Sequence, residues 1–309
     1  MEHYLVTGLL FSDSGKRKIN QDNFCLPDGR INSDHSSSVK ESFTIPLKKC
    51  NPSFAVFDGM GGESCGEEIS KKAAENFAEI TAGDGLVDST KAAAGDFQNN
   101  IIPKPEVNKN IENEEALSKR IQAYTKKTNE DISRILLYAG EQSGGTTAAG
   151  LTFFQDTVSG YFIGDSRIYL IRYGKIMLLS HDETLGQEKV DGGELTLENA
   201  KKSHSWHVLT HFLGDNGSGI KLIEGFRILP GDRFIITSDG LSDLFTDEEI
   251  EEIFSKGNPE ATVKNQEEYI KNNSEDNCTF IIIDVQKNSF TAWCEKILDK
   301  ILEFFHKAA

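Results

Sequence analysis

At 309 residues, with 38% hydrophobic and 27% charged residues, the chain has the composition of a soluble globular protein with a full core. A formal net charge of −16 leaves no basic field to offset phosphate repulsion, so nucleic acid is not expected as a partner. The five cysteines, Cys25, Cys50, Cys65, Cys278 and Cys294, are scattered without a Cys-x-x-Cys pair, which signals neither a disulfide framework nor zinc. The start Met1-Glu2-His3-Tyr4 lacks the basic, then apolar pattern of a signal peptide, and no run is apolar for long enough to span a bilayer. The expected location is cytoplasmic, with no membrane partner.

In chain order, residues 4–11 alternate and read as a strand, followed by the polar turn Ser12-Asp13-Ser14-Gly15-Lys16-Arg17-Lys18 and by Ile19-Asn20-Gln21-Asp22. Residues 29–49 are rich in Ser, Lys, Asn and Asp and read as a surface loop or long hairpin. Ser53-Phe54-Ala55-Val56-Phe57 is a short buried strand that stops at Asp58-Gly59-Met60-Gly61-Gly62. Helical spacing follows over 63–80 (Ile69, Ala73, Phe77, Ile80) and again over 112–139, with a long excursion poor in apolar residues between. The period then shortens: 146–154, 157–163, 167–173 and 175–179 read as four consecutive strands with short turns.

Residues 181–207 are polar and form a flap-like insertion containing His181, His204 and His207, with His211 just beyond. Strands resume at 220–228 and 233–237, helices fill 247–272 with Pro259 opening the second, and 277–286 is a last strand. The tail 290–305 places Trp293, Ile297, Ile301 and Phe304 on one helical face. These elements predict one α+β domain over 1–286, a sandwich of sheets with helices outside, and an amphipathic helical extension over 287–309. A monomer is expected, with that extension as a face for partner docking.

The strand before Asp58 ends on a carboxylate that is costly to desolvate unless a cation or a donor faces it. Asp165 in Gly164-Asp165-Ser166-Arg167, Asp239 in Ser238-Asp239-Gly240 and Asp276 in Asp276-Asn277 repeat the arrangement, each an acid at a strand end; Asp243 follows Asp239 by one helical turn. Carboxylates brought together repel, and the usual remedies are protons or divalent cations. An oxygen-only set selects Mg²⁺ or Mn²⁺.

Arg17-x-x-Asn20-Gln21-Asp22, Phe57-Asp58-Gly59-Met60-Gly61-Gly62, Ser143-Gly144-Gly145-Thr146-Thr147, Gly164-Asp165-Ser166-Arg167, Ser238-Asp239-Gly240-Leu241-Ser242-Asp243 and Asp276-Asn277 resemble, in order, the motifs of the type 2C metal-dependent serine/threonine protein phosphatases, the PPM family. The match runs over nearly the whole chain, and Met60 after Asp58-Gly59 looks like the bacterial-type branch. The resemblance implies a four-layer αββα sandwich of two antiparallel sheets. It implies that Asp58 bridges two Mn²⁺ or Mg²⁺ ions with the Gly59 carbonyl on one, that Asp239 and Asp276 complete the other, and that Asp22 holds metal-bound water. Glu141 falls where an acid helps to hold a third ion, and Arg17 matches the phosphate-binding arginine.

The implied chemistry is hydrolysis of phosphoserine or phosphothreonine on a protein by hydroxide bridging the ions, with no phosphoenzyme. Asp165, Asp243 and Asn277 are expected to order the ligands rather than bind metal themselves. Two departures stand out. Gln21 replaces the usual Glu near the second metal, which predicts weaker binding of that ion. Met60 removes the nearest proton donor. A catalytically weak pseudophosphatase that binds or senses is the alternative, favoured by Gln21 and opposed by the retained Arg17, Asp22, Asp58, Asp239 and Asp276.

Overall fold

The computed structural model describes residues 4–35, 38–47, 51–61, 65–81, 109–215 and 217–287. The first sheet runs in the order β3 (Ser38–Pro46), β1 (Tyr4–Asp13), β12 (Cys278–Lys287), β11 (Arg233–Thr237), β8 (Arg167–Arg172) and β9 (Lys175–Leu178). The second runs β10 (Lys221–Arg227), β7 (Thr157–Ile163), β6 (Ala148–Phe154), β4 (Ser53–Gly61) and β2 (Asp22–Cys25), with β5 (Gly144–Thr146) paired to the far end of β4. All of these pairings are antiparallel.

Period-two alternation in the strands sorts the side chains into three cores. Ile281, Ile283 and Val285 of β12 meet Phe54 and Val56 of β4, Leu151 and Phe153 of β6, and Phe234 and Ile236 of β11 between the sheets. The intervening residues face outward: Ala55 and Phe57 pack under Ile69, Phe77 and Tyr124 of α1 (Gly66–Thr81) and α2 (Lys109–Ala139). On the other side, Ile235, Phe280 and Ile282 pack under Leu241 of α5 (Asp239–Leu244), Ile250 and Phe254 of α6 (Asp247–Phe254) and Val263 of α7 (Pro259–Asn273). The result is the expected αββα sandwich.

Several local expectations change. The polar stretch 29–49 contains β3, a strand whose outward residues are mostly exposed, so its composition resembles a loop. The strand expected over 146–154 divides into β5 and β6, on either side of Thr147. The four strands that are consecutive in sequence do not form one meander: β6 and β7 lie in the second sheet, β8 and β9 in the first, and the chain crosses at Gly164-Asp165-Ser166. The expected insertion has secondary structure of its own. It carries α3 (Leu185–Asp191), α4 (Leu197–Lys201) and a 3₁₀ turn over His204–His207, with Thr184 and Thr196 capping the two helices. The 82–108 part of the excursion and residues 288–309, including the tail helix, lie outside the described residues.

Candidate metal centre

The layer between the sheets is apolar along most of each strand and becomes polar at one end. Counting outward by two from Leu10, Ile281, Ile236, Ala149 and Ile168 gives Ser12, Thr279, Ser238, Thr147 and Ser166, all buried. These hydroxyls pair with one another: Ser12 Oγ and Thr279 Oγ1 are 2.7 Å apart, and Thr147 Oγ1 and Ser166 Oγ are 2.6 Å apart. Above this floor stand the acids. The same parity that directs Phe24, Phe54 and Val56 inward directs Asp22 and Asp58 to the mouth of the sandwich, where they are direct cross-strand partners. Like charges in such a pair are destabilising by themselves.

Asp58, Asp165, Asp239, Asp243 and Asp276 line a cleft of about 850 Å³, together with Gly59 and Gln21. Asp22 lies just beneath, 1% exposed. Burial pushes the Asp58 carboxyl well above the usual range, and the charges of Asp22, Asp239, Asp165 and Asp276 push it further. Asp239 is raised for the same reasons, with Asp165 and Asp243 as its strongest acidic neighbours. Burial raises Asp22 to about 7 against hydrogen bonds from Ser238 and Thr279, and it raises Asp165 to about 7 with help from Asp182.

One oxygen on each of two acids, Asp22 Oδ1 and Asp239 Oδ1, is buried with no hydrogen-bond partner. Native proteins rarely leave such atoms unsatisfied. Crowded carboxylates with unpartnered oxygens, beside a main-chain carbonyl, form a donor set suited to hard divalent cations.

The backbone beneath is held closely. Asp58 N donates to Thr147 Oγ1 at 3.0 Å, and Thr146 Oγ1 donates to the Asp58 carbonyl at 2.8 Å. Gly59 must lack a side chain, because a Cβ there would stand 2.1 Å from the Gly66 carbonyl oxygen and 2.6 Å from that of Gln21. Asn277 ties three loops together: its Oδ1 accepts from Gln21 N at 2.8 Å, and its Nδ2 donates to the carbonyls of Ser14 and Ile19. Gln21 turns toward α1, where Nε2 donates to Glu67 Oε2 at 3.4 Å. Arg17 is exposed on the rim and donates through Nη2 to Asp276 Oδ2 at 2.8 Å, and through Nε to the Glu275 carbonyl at 3.2 Å.

Among the expected site residues, Glu141 stands apart. It is exposed just beyond α2 and does not line the cleft. Conversely, Lys201, Trp206 and His207 of the insertion do line it, and sequence reading did not single them out as a group. The one signal was Trp206, a large aromatic in a polar tract; it is 8% exposed, with Lys201 Nζ 5.8 Å from its ring centre. The hydroxyl floor was also legible in principle, as the continuation of each strand's inward parity.

No family model matches the chain. A Streptococcus pyogenes protein named for the protein phosphatase 2C type is 35% identical over 107 residues, covering 34% of this chain and 43% of that protein. The Mycobacterium tuberculosis serine/threonine protein phosphatase PstP is 31% identical over 151 residues, covering 46% of this chain and 27% of that protein. The chain thus spans less than half the length of either relative. The crystal structure of the PstP catalytic domain in complex with two manganese ions superposes with a TM-score of 0.64 at 23% identity, covering 92% of this chain and 100% of that domain. Ordered motifs and relatives make the chain similar to the type 2C metal-dependent protein phosphatases, the PPM family, and the superposition shows that it shares the fold of a solved serine/threonine phosphatase domain.

Proposed function

We propose that the chain hydrolyses phosphoserine and phosphothreonine on protein substrates, using two Mn²⁺ or Mg²⁺ ions. The observation that carries this reading is the convergence of Asp22, Asp58, Asp239 and Asp276 beneath one open cleft whose rim bears the Arg17 guanidinium. Asp58, with the Gly59 carbonyl, would lie between the ions, Asp239 and Asp276 would complete one of them, and Asp22 would act from beneath. When bound, the ions supply a nucleophile at neutral pH and neutralise phosphate charge.

The rest falls to the chain. Arg17, held in place by Asp276 and the Glu275 carbonyl, presents its remaining N–H groups to phosphate oxygens. The Ser238 hydroxyl holds one oxygen of Asp22, and the other is buried with no hydrogen-bond partner, free to act as a donor to a cation. Met60 has no proton to give to the leaving alkoxide, so that proton must come from solvent in the cleft. Openness to solvent suits a site that must admit a protein segment, and the −16 net charge means that cations, not a basic surface, receive the phosphate.

The deciding experiment measures hydrolysis of p-nitrophenyl phosphate and of a phosphothreonine peptide with Mn²⁺, with and without chelator, for wild type and Asp239→Asn. Chelator-sensitive turnover in the wild type, lower by about a thousandfold or more in the variant, is expected from loss of a metal-bearing carboxylate. Equal activity in both proteins would overturn the assignment.

A further inference from the structure

Gly164-Asp165-Ser166 carries the chain from β7 of the second sheet to β8 of the first, and Asp165 lines the cleft within that crossing. Gly164 has a φ of +92° and no room for a side chain, since a Cβ would stand 2.7 Å from Thr147 Cγ2. It lies beyond the end of β7, so its backbone polar groups need partners outside the ladder. Glu183, at the base of the insertion, supplies both. Its Oε2 accepts from Gly164 N at 2.9 Å, and its own N donates to the Gly164 carbonyl at 3.0 Å. We propose that Glu183 is a positioning residue for the metal centre, whose carboxylate fixes the Gly164 turn and through it the settings of Asp165 and Asp58.

The path from the turn to the acids is short. Ser166 Oγ lies 2.6 Å from Thr147 Oγ1, which accepts from Asp58 N at 3.0 Å. The far side of the crossing is gripped as well: Arg167 holds Asp182, the residue before Glu183, through Nε at 3.0 Å and Nη2 at 2.6 Å. Two consecutive acids therefore bracket Asp165-Ser166, Glu183 at Gly164 and Asp182 at Arg167.

A carboxylate at this place is costly, because Glu183 is 3% exposed and a neutral side chain is easier to bury. Its charge is faced by Lys221 of β10, with Nζ 2.7 Å from Oε1, and by His211, with Nδ1 3.7 Å from the same oxygen. The Glu183 carbonyl accepts from Thr210 N at 2.8 Å, which closes the base of the insertion. One residue thus joins the crossing, the insertion and β10. The length of the side chain matters: the acceptor must reach Gly164 N while the main chain is bonded to the Gly164 carbonyl, and an Asp is one methylene short.

This role rests on the two-ion reading of the cleft, and metal affinity tests it apart from turnover. Calorimetric Mn²⁺ titration is run on wild type, Glu183→Gln, Glu183→Asp and Glu183→Ala, with p-nitrophenyl phosphate hydrolysis at saturating Mn²⁺, where circular dichroism shows each protein folded. Glu183→Gln keeps the acceptor and should stay close to wild type. Glu183→Asp keeps the charge without the reach, and Glu183→Ala has neither. Both should lose roughly tenfold or more in Mn²⁺ affinity and in kcat, with KM little changed. Should Glu183→Ala fail to fold, the Gln and Asp variants decide. Wild-type affinity in Glu183→Asp, or Glu183→Gln as impaired as Glu183→Asp, would overturn the positioning role and leave the two-ion reading standing. A wild type that binds Mn²⁺ without hydrolysing either substrate would overturn the phosphatase reading, and the affinities would still decide the role of Glu183. A wild type that binds no Mn²⁺ would overturn both.

Discussion

Ser238 Oγ donates a 2.7 Å hydrogen bond to Asp22 Oδ2, although the two residues are 216 positions apart in the chain. Ser238 also accepts from Thr279 N at 3.1 Å, so one hydroxyl joins β2 of one sheet to β11 and β12 of the other. It leaves Asp22 Oδ1 as the free oxygen. The Ser238→Ala variant therefore loses the link that holds Asp22 in its orientation. A buried carboxylate short of one donor should cost about 1–3 kcal/mol of stability in chelator. Mn²⁺ affinity should fall by roughly 10–100-fold. Urea melts and calorimetric titration check the two effects; a variant as stable as wild type with unchanged Mn²⁺ affinity would show that the bond is incidental.

Gln21 is the second test point. It lines the cleft but points Nε2 at Glu67. Gln21→Glu adds a negative charge near the proposed second ion, and it faces like charge from Glu67. The expected outcome is a several-fold lower Mn²⁺ concentration for half-maximal activity, lower again in Gln21→Glu/Glu67→Gln, where the repulsion is removed. An unchanged or higher requirement in both variants counts against a charge deficit at this position.

The acid cluster predicts how stability responds to pH and metal. Asp22 and Asp165 stand at about 7 in the folded protein, far above ordinary carboxylates. Between about pH 4 and 7 the folded state then holds protons that the unfolded state has released, so stability falls as pH rises through that window. In chelator, the thermal midpoint should be lower at pH 8 than at pH 5.5 by several degrees, at about 2–4 °C per kcal/mol for a domain of this size. Divalent metal offsets the repulsion, so Mn²⁺ should raise the midpoint more at pH 8 than at pH 5.5. Differential scanning calorimetry at the two pH values decides it; a metal-free midpoint that rises with pH would falsify the picture of an uncompensated cluster.

Arg167 of the Gly-Asp-Ser-Arg motif lines the cleft, but its guanidinium is engaged by the fold. Its guanidinium grips buried Asp182 through Nε at 3.0 Å and Nη2 at 2.6 Å, and Nη1 donates to Tyr169 Oη at 3.0 Å. Asp182 stands at the base of the insertion, so the pair fixes where that insertion departs. Arg167→Met leaves Asp182 buried without its cation and should cost roughly 3–5 kcal/mol. Arg167→Met/Asp182→Leu should recover most of that loss. Equilibrium unfolding of the four proteins in the cycle gives the coupling directly.

Local chemistry made much of this protein readable from its sequence. Apolar alternation located most of the strands, helical spacing located α1, α2, α6 and α7, and acids at strand ends marked Asp58, Asp165, Asp239 and Asp276 as one group. Those signals are short-range, because a strand's two faces and a helix's buried stripe are written in neighbouring residues. β2 escaped notice because four residues, Asp22–Cys25, are too few to show a period; its position is set only by pairing with β4. β3 lies in a stretch that reads equally as loop or long hairpin, because an edge strand with one wet face has the composition of a loop.

Tertiary structure alone decided what each acid faces. Cross-strand register put Asp22 opposite Asp58, sheet-on-sheet packing brought Ser238 to Asp22, and the folded insertion placed His207 within reach of Asp243. Each of these is a contact between distant segments, fixed by how whole layers stack rather than by any residue's neighbours in the chain.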